Sequence, residues 1–175
     1  MHPKKERIKK EYDRSAEFYD RRYKKIQFEK YRGTIKLSLE NLKILDLGCG
    51  TGLLSMFLSR KDLVGIDLSF KMLKVAKKRC KVVQADIDHL PFRDSIFDLV
   101  FSFTSLQNLP YYNVAIREVL RVLKKNGLFI FSILNKKSYL QVAEDVEKRF
   151  KILEKALCGE DVSFVCEVRE SFLSF

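Results

Sequence analysis

No run of about 18 uncharged apolar residues occurs in the chain, so no segment reads as a membrane span. Histidine and cysteine are too sparse and scattered for a zinc centre. Only His2 and His89 could assist Cys49, Cys80, Cys158 and Cys166, and no Cys-x-x-Cys pair occurs; no metal site is expected. The same cysteines form no disulfide framework, which points to reduced thiols and a cytoplasmic protein. Repeats, low-complexity tracts and Pro/Gly-rich linkers are absent, and 175 residues suit a single domain over 1–175. The opening MHPKKERIKKEYDRS is basic with no apolar stretch behind it, so no secretory signal is expected.

What the chain does have is positive charge. Lys and Arg number 34 against 23 Asp and Glu, a net charge of +11. Such a balance meets anions, nucleic acid above all, although charge runs are as often solvated faces. Residues 4 to about 40 are charged and tyrosine-rich, with two helices expected. The second carries Tyr31, Ile35, Leu39 and Leu42 at spacings of four, four and three.

From Lys43 short apolar strands alternate with helices. Strands are expected at 43–47, 63–67, 81–85, 97–103 and 127–133, with helices near 51–60, 70–79, 112–125 and 138–149. In NVAIREVLRVLKKNG, Ile116, Val119, Leu120 and Leu123 share a face, Lys124 and Lys125 suit a helix C-terminus, and Gly127 suits a left-handed stop. SYLQ at 138–141 has the form of a capping box. Alternation of this kind implies a mostly parallel sheet between two helix layers. The tail FKILEKALCGEDVSFVCEVR instead reads as an antiparallel hairpin around Gly159-Glu160-Asp161 at a sheet edge.

The chemistry concentrates in KILDLGCGTGLLSMFLS, residues 43–59, where a strand ends on Asp46 and Gly48, Gly50 and Gly52 follow. In open α/β sheets ligands sit beyond the C-terminal strand ends, and a glycine turn there lets a ligand approach the backbone. Asp67 ends the second strand, placed for the hydroxyls of a ribose, and Asp86 ends the third, placed for an adenine amine with Ile87 against the ring. Asp46 would repel a pyrophosphate and attract an ammonium or a sulfonium, which argues for S-adenosylmethionine over NAD. An NAD(P)-linked oxidoreductase on a similar sheet and a non-catalytic cofactor-binding partner subunit are the alternatives.

DLGCGTG, GIDLS followed by Met72, ADIDHLPFRDSIFDLVFS and REVLRVLKKNGLFIFS resemble the successive motifs of class I S-adenosylmethionine-dependent methyltransferases. The resemblance is to the group that includes the ubiquinone/menaquinone-biosynthesis methyltransferases. It implies a Rossmann-like, three-layer α/β fold with a seven-stranded sheet of order 3-2-1-4-5-7-6. It also implies that Asp46, Gly48 and Gly50, with Cys49 between them, line the methionine end of the cofactor. Asp67 would hold the ribose, Leu68 and Met72 would lie against adenine, and Asp86 and Ile87 would read its amine and face. Phe103 would approach the sulfonium. YDRSAEFYDRRY at 12–23 is similar to the group's N-terminal tyrosine motif, so residues 1–40 become a helical lid with Tyr12, Tyr19 and Tyr23 over the cofactor.

No His or Glu stands at a motif position that demands a general base. Tyr19, Gln107 and Asn108 are the substrate-side candidates, and Gln107 stands where the quinone enzymes carry an arginine, against quinone chemistry. Lys77, Lys78 and Arg79 are expected at a helix C-terminus, away from the site. Arg21, Arg22, Lys24 and Lys25 should form a basic lip, which favours RNA or another anion over a small metabolite as the methyl acceptor. A mouth without a substrate-capping insertion suits a macromolecule, protein included, or a partner subunit as well as a metabolite.

Overall fold

Four successive buried residues, Ile44–Leu47, mark a strand covered on both faces, and it becomes β1 at the middle of the sheet. The computed structural model describes residues 1–136 and 139–169. Around β1 stand β2 (Val64–Asp67), β3 (Lys81–Gln84), β4 (Phe97–Phe103), β5 (Leu123–Leu134), β6 (Phe150–Cys158) and β7 (Asp161–Val168). Their order is β3-β2-β1-β4-β5-β7-β6, parallel except for β7, which runs antiparallel to both β5 and β6. The expected order and terminal hairpin are both present. Strand order reverses between β1 and β4, so a crevice opens where those two strands end.

Apolar residues of both sheet faces are buried by helices. One face packs Leu45, Leu47, Val100, Phe129 and Phe131 against α5 (Tyr112–Val122) and α6 (Tyr139–Glu147). The other packs Ile44, Leu99, Phe101 and Ile130 with Tyr31 of α2 (Tyr19–Thr34), Leu53 and Leu54 of α3 (Leu53–Leu58) and Leu73 of α4 (Phe70–Ala76). No helix among the described residues is long and apolar enough to cross a membrane.

Three local expectations need correction. Helix α5 stops at Val122 because Leu123 is already paired with Phe97, so Lys124 and Lys125 lie on β5. The left-handed residue is Asn126 (φ 61), not Gly127. Gly127 is required for space instead, since a Cβ there would sit 2.8 Å from the Lys124 carbonyl. Arg79 does not merely balance a helix end. Its guanidinium donates to the Thr51 carbonyl at 2.9 Å and to Asp20 at 2.6 Å, tying α2 to the glycine turn. Ser138 of the expected capping box lies outside the described residues.

The N-terminal helices lie over the crevice. In α1 (Pro3–Ser15), Pro3 opens the helix and the His2 side chain accepts from the Lys4 N–H at 3.1 Å, which fixes its start. Polar side chains then fasten both helices to loops at the strand ends. Lys4 donates to the Leu109 carbonyl at 2.9 Å, and Lys5 pairs with Asp86 at 2.5 Å and also with Asp88. Asp13 accepts from Ser69 at 2.6 Å and Asp20 from Thr51 at 2.5 Å.

Candidate active site

The glycine turn after β1 makes a left-handed path, with φ of 71° at Gly48 and 53° at Gly50. A Cβ on Gly48 would stand 2.8 Å from the Ser105 Cβ, so the turn and the loop after β4 touch only because that residue is glycine. The backbone donors of the turn are already used. Gly48 and Cys49 both donate to the Ile66 carbonyl at 2.9 Å, Gly50 donates to Asp67 at 3.0 Å, and Gly52 to the Cys49 carbonyl at 2.8 Å. A pyrophosphate cradle needs such N–H groups free and aimed outward. This turn has none of these four to offer.

Acceptors, by contrast, are left over. Asp46 is 4% exposed and receives no hydrogen bond from any described residue; burial, with the nearby Asp67 charge second, pushes its carboxyl up to about 7. Gln27 on α2 is 8% exposed and its Oε1 has no donor among the described residues. Both border a void of about 20 Å³ with Tyr19, Gly50 and Phe103, room for one small polar group. Two buried acceptors facing one void call for a donor, and a cationic one would offset the cost of ionising Asp46. Asp67 accepts from the N–H groups of Gly50 and Ser69, at 3.0 and 2.7 Å, and burial outweighs these bonds so that its pKa is raised.

Beyond the void opens a cavity of about 520 Å³ between the two N-terminal helices and the strand ends. Gly48, Gly50, Asp67, Leu68, Asp86, Ile87 and Phe103 border it, as do Tyr12, Tyr19, Tyr23 and Asn108. Asp86 holds Lys5 and the Asp88 N–H on Oδ1 alone, and its Oδ2 accepts no hydrogen bond from any described residue. Tyr12, Tyr19 and Tyr23 form a run of rings, with centroids 6.2 and 4.8 Å apart. Burial, with Tyr12 and Asp67 behind it, raises the Tyr19 phenol.

Four sequence candidates do not reach this cavity, Asp46 among them, since it borders only the small void. Met72 is fully buried beneath α4, where the Ser69 hydroxyl caps its N–H at 3.1 Å. Cys49 borders only the small void, and burial holds its thiol well above the usual range. Gln107 is turned away, its side-chain oxygen accepting from the Leu134 N–H at 3.0 Å. The basic lip also stays outside: Arg21 and Arg22 rest on the rings of Phe18 and Tyr23, at 5.2 and 5.3 Å, on the exposed side of α2. Conversely, Gln27 and Lys30 border the cavity and were not picked out from the sequence. Their signal is present: Tyr19, Tyr23, Gln27 and Lys30, at spacings of four, four and three, are one face of a helix.

Residues 45–131 match the family model described as a methyltransferase domain. An uncharacterized protein of Methanocaldococcus jannaschii is 33% identical, over 99% of this chain and 73% of that one. The malonyl-[acyl-carrier protein] O-methyltransferase of Hamiltonella defensa is 35% identical over 70% of this chain, and the demethylmenaquinone methyltransferase of Staphylococcus aureus 34% over 72%. The chain belongs to the S-adenosylmethionine-dependent methyltransferases.

The methyltransferase spans 50% and 59% of the lengths of those two named enzymes. Its fold is shared with a methyltransferase of Aquifex aeolicus, at 16% identity and a TM-score of 0.73 over 90% of this chain and 98% of that one. A Haloferax volcanii chain solved in complex with the Trm112 methyltransferase activator gives 16% and 0.75, over 91% and 98%. S-adenosyl-L-methionine is the cofactor that membership brings, and the methyltransferase's residues fit it. The unpartnered Asp46 and Gln27 oxygens suit its cationic methionine end, while Asp67, the free Asp86 Oδ2 and the Ile87 face suit a nucleoside.

Proposed function

We propose that the chain transfers a methyl group from S-adenosylmethionine to a small acceptor bound beneath its two N-terminal helices. One observation carries the reading. The glycine turn uses its donors internally and leaves buried acceptors facing the void, an arrangement suited to a cationic amino-acid sulfonium and hostile to a diphosphate. Bound there, S-adenosylmethionine supplies a methyl group on a positively charged sulfur, which leaves as a neutral thioether when a nucleophile's electron pair forms the new bond.

The chain's own part is to bind, orient and exclude water. Asp46 and Gln27 take the ammonium, Asp67 the ribose, and Asp86 the adenine amine. Phe103, only 8% exposed, supplies an apolar wall at the end of β4, and the rings of Tyr12, Tyr19 and Tyr23 keep water from the space between cofactor and acceptor. Residues 1–40 then serve as the lid of a single domain. A small acceptor is favoured over RNA because the lip cations face outward while the cavity is roofed by α1 and α2. Four buried free thiols suit work in the reducing cytoplasm. A partner subunit, as the activator is for the Haloferax volcanii chain, would act at the acceptor side of the cavity.

Calorimetry with S-adenosylhomocysteine and NAD tests the reading. Expected are binding of the first alone and at least a tenfold loss in Asp67→Ala. Equal affinity of parent and variant for S-adenosylhomocysteine, or tighter binding of NAD, would overturn it.

A further inference from the structure

On the β5–β7 side the cavity wall contains a buried lysine that the cofactor does not need. Lys30 on α2 is 5% exposed, and its Nζ donates to Thr104 Oγ1 at 2.9 Å while lying 2.9 Å from Asp161 Oδ1. The second contact is one of charge and not an aligned hydrogen bond, since Asp161 Oδ1 still lacks an aligned donor among the described residues. An ammonium has three N–H donors. At least one is therefore unmatched by any described residue, on a side chain that borders the cavity.

The surroundings hold this ammonium still. Asp161, the first residue of β7, is fully buried, and its Oδ2 accepts from Thr104 Oγ1 at 2.8 Å and Ser132 Oγ at 2.7 Å. Thr104, directly after β4, has a φ of 56°. A β-branched residue takes that conformation only at a cost, and it persists only where neighbours impose it. Here the neighbours are plain: the Thr104 N–H is tied to the Ser132 carbonyl at 3.0 Å, and its hydroxyl links Lys30 to Asp161. Glycine or asparagine would take this backbone more easily, but neither offers the hydroxyl that joins the pair.

We infer that Lys30 is the acceptor-recognition residue of this cavity, and that it selects a small acceptor presenting an oxyanion, a carboxylate in the simplest case, over an amine. The inference rests on the methyl-transfer reading for the meaning of acceptor. Asp161 keeps the charge of Lys30 tolerable inside the wall, and Thr104 fixes its direction. An oxyanion arriving beside Asn108 and Leu134 completes the donor set of the ammonium, whereas an acceptor ammonium meets a like charge. Glu160 borders the same cavity but is solvent-exposed, so its opposing charge is screened.

The test uses the whole chain loaded with S-adenosylhomocysteine and three probes of one skeleton: phenylacetate, phenylacetamide and phenethylamine, titrated by calorimetry. Phenylacetate should bind at least tenfold more tightly than phenethylamine. Lys30→Met should abolish that preference while changing S-adenosylhomocysteine affinity less than threefold. Thr104→Val, which keeps the branched outline and removes Oγ1, should weaken the preference too, and it carries the test should Lys30→Met fail to fold. A loaded parent that binds no phenylacetate, equal binding of all three probes, or a preference that survives the substitutions would overturn the inference. A parent that does not bind S-adenosylhomocysteine would instead overturn the cofactor reading, and this one with it.

Discussion

Asp46 combines a buried carboxylate, no donor among the described residues and a pKa raised to about 7, and each property follows from its place near the end of a strand covered on both faces. On the proposed reading a cationic ligand restores the ionised form, which links cofactor binding to loss of the Asp46 proton. Two consequences belong at this scale. Affinity for S-adenosylhomocysteine should rise as pH climbs from 5.5 through 7 and level off above. Binding at pH 6 should release a proton, read as a dependence of calorimetric enthalpy on the buffer's ionisation enthalpy. Asp46→Asn should remove both effects and weaken binding; a variant that still releases the proton would place the linkage on another group. That carboxylates stand at three strand ends is plain from the sequence, since each follows an apolar run. That Asp46 has no partner is not, because Gln27, which shares its void, arrives from a helix 19 positions earlier in the chain.

At the scale of elements, the N-terminal pair of helices borders the cavity. Little of α1 is apolar, and its one buried residue is Lys5, so it docks by polar anchors and not by a hydrophobic stripe. Each anchor lands on a segment that follows a strand: Lys5 on Asp86 and Asp88, Asp13 on the start of α4, Asp20 on the glycine turn. Removing one partner of a buried pair costs about 3–5 kcal/mol, and the partial exposure of Asp86 sets this one at the low end. Lys5→Met should therefore speed amide exchange across α1 on the order of a hundredfold, leaving β1 and β4 protected. Uniform protection of α1 in the variant would show that the helix is held otherwise. The tyrosines mark these helices in the sequence. Their anchors are not marked, because lysine and aspartate on a charged helix look alike whether solvated or docked. Helix α5 shows the opposite limit: its apolar face was legible, but its end was set by strand pairing of Leu123 with Phe97, a contact 26 residues apart in the chain.

For the molecule as a whole, Asp46 sets a pH dependence whose sign is fixed. A carboxyl with a folded pKa of about 7 and an ordinary unfolded value keeps its proton longer in the folded state. Its contribution to stability is thus greatest below pH 4, falls as pH rises to about 7, and is constant beyond; the raised Asp67 acts in the same direction. A ligand at a hundred times its Kd adds about 2.7 kcal/mol, roughly 5–10 °C of melting temperature for a chain of this size. S-adenosylhomocysteine should raise the melting temperature more at pH 8 than at pH 5.5, as thermal denaturation at the two pH values will measure. An equal gain at both would separate Asp46 from the ligand. The net charge of +11 bears on these properties only distantly, since the lip cations stay in solvent.

Short-range pattern alone determined the strands, their order of chemistry and the glycine turn, because apolar periodicity and left-handed glycines are properties of neighbours in the chain. Resemblance to a known family added the sheet order and the cofactor. Tertiary structure alone decided which donors of the turn were already satisfied, which acceptors were left facing the void, and that Lys30, Thr104 and Asp161 meet in one wall. Hydrogen-bond accounting is a sum over everything that surrounds an atom, and in a doubly wound sheet those surroundings come from segments as far apart as Lys30 and Asp161.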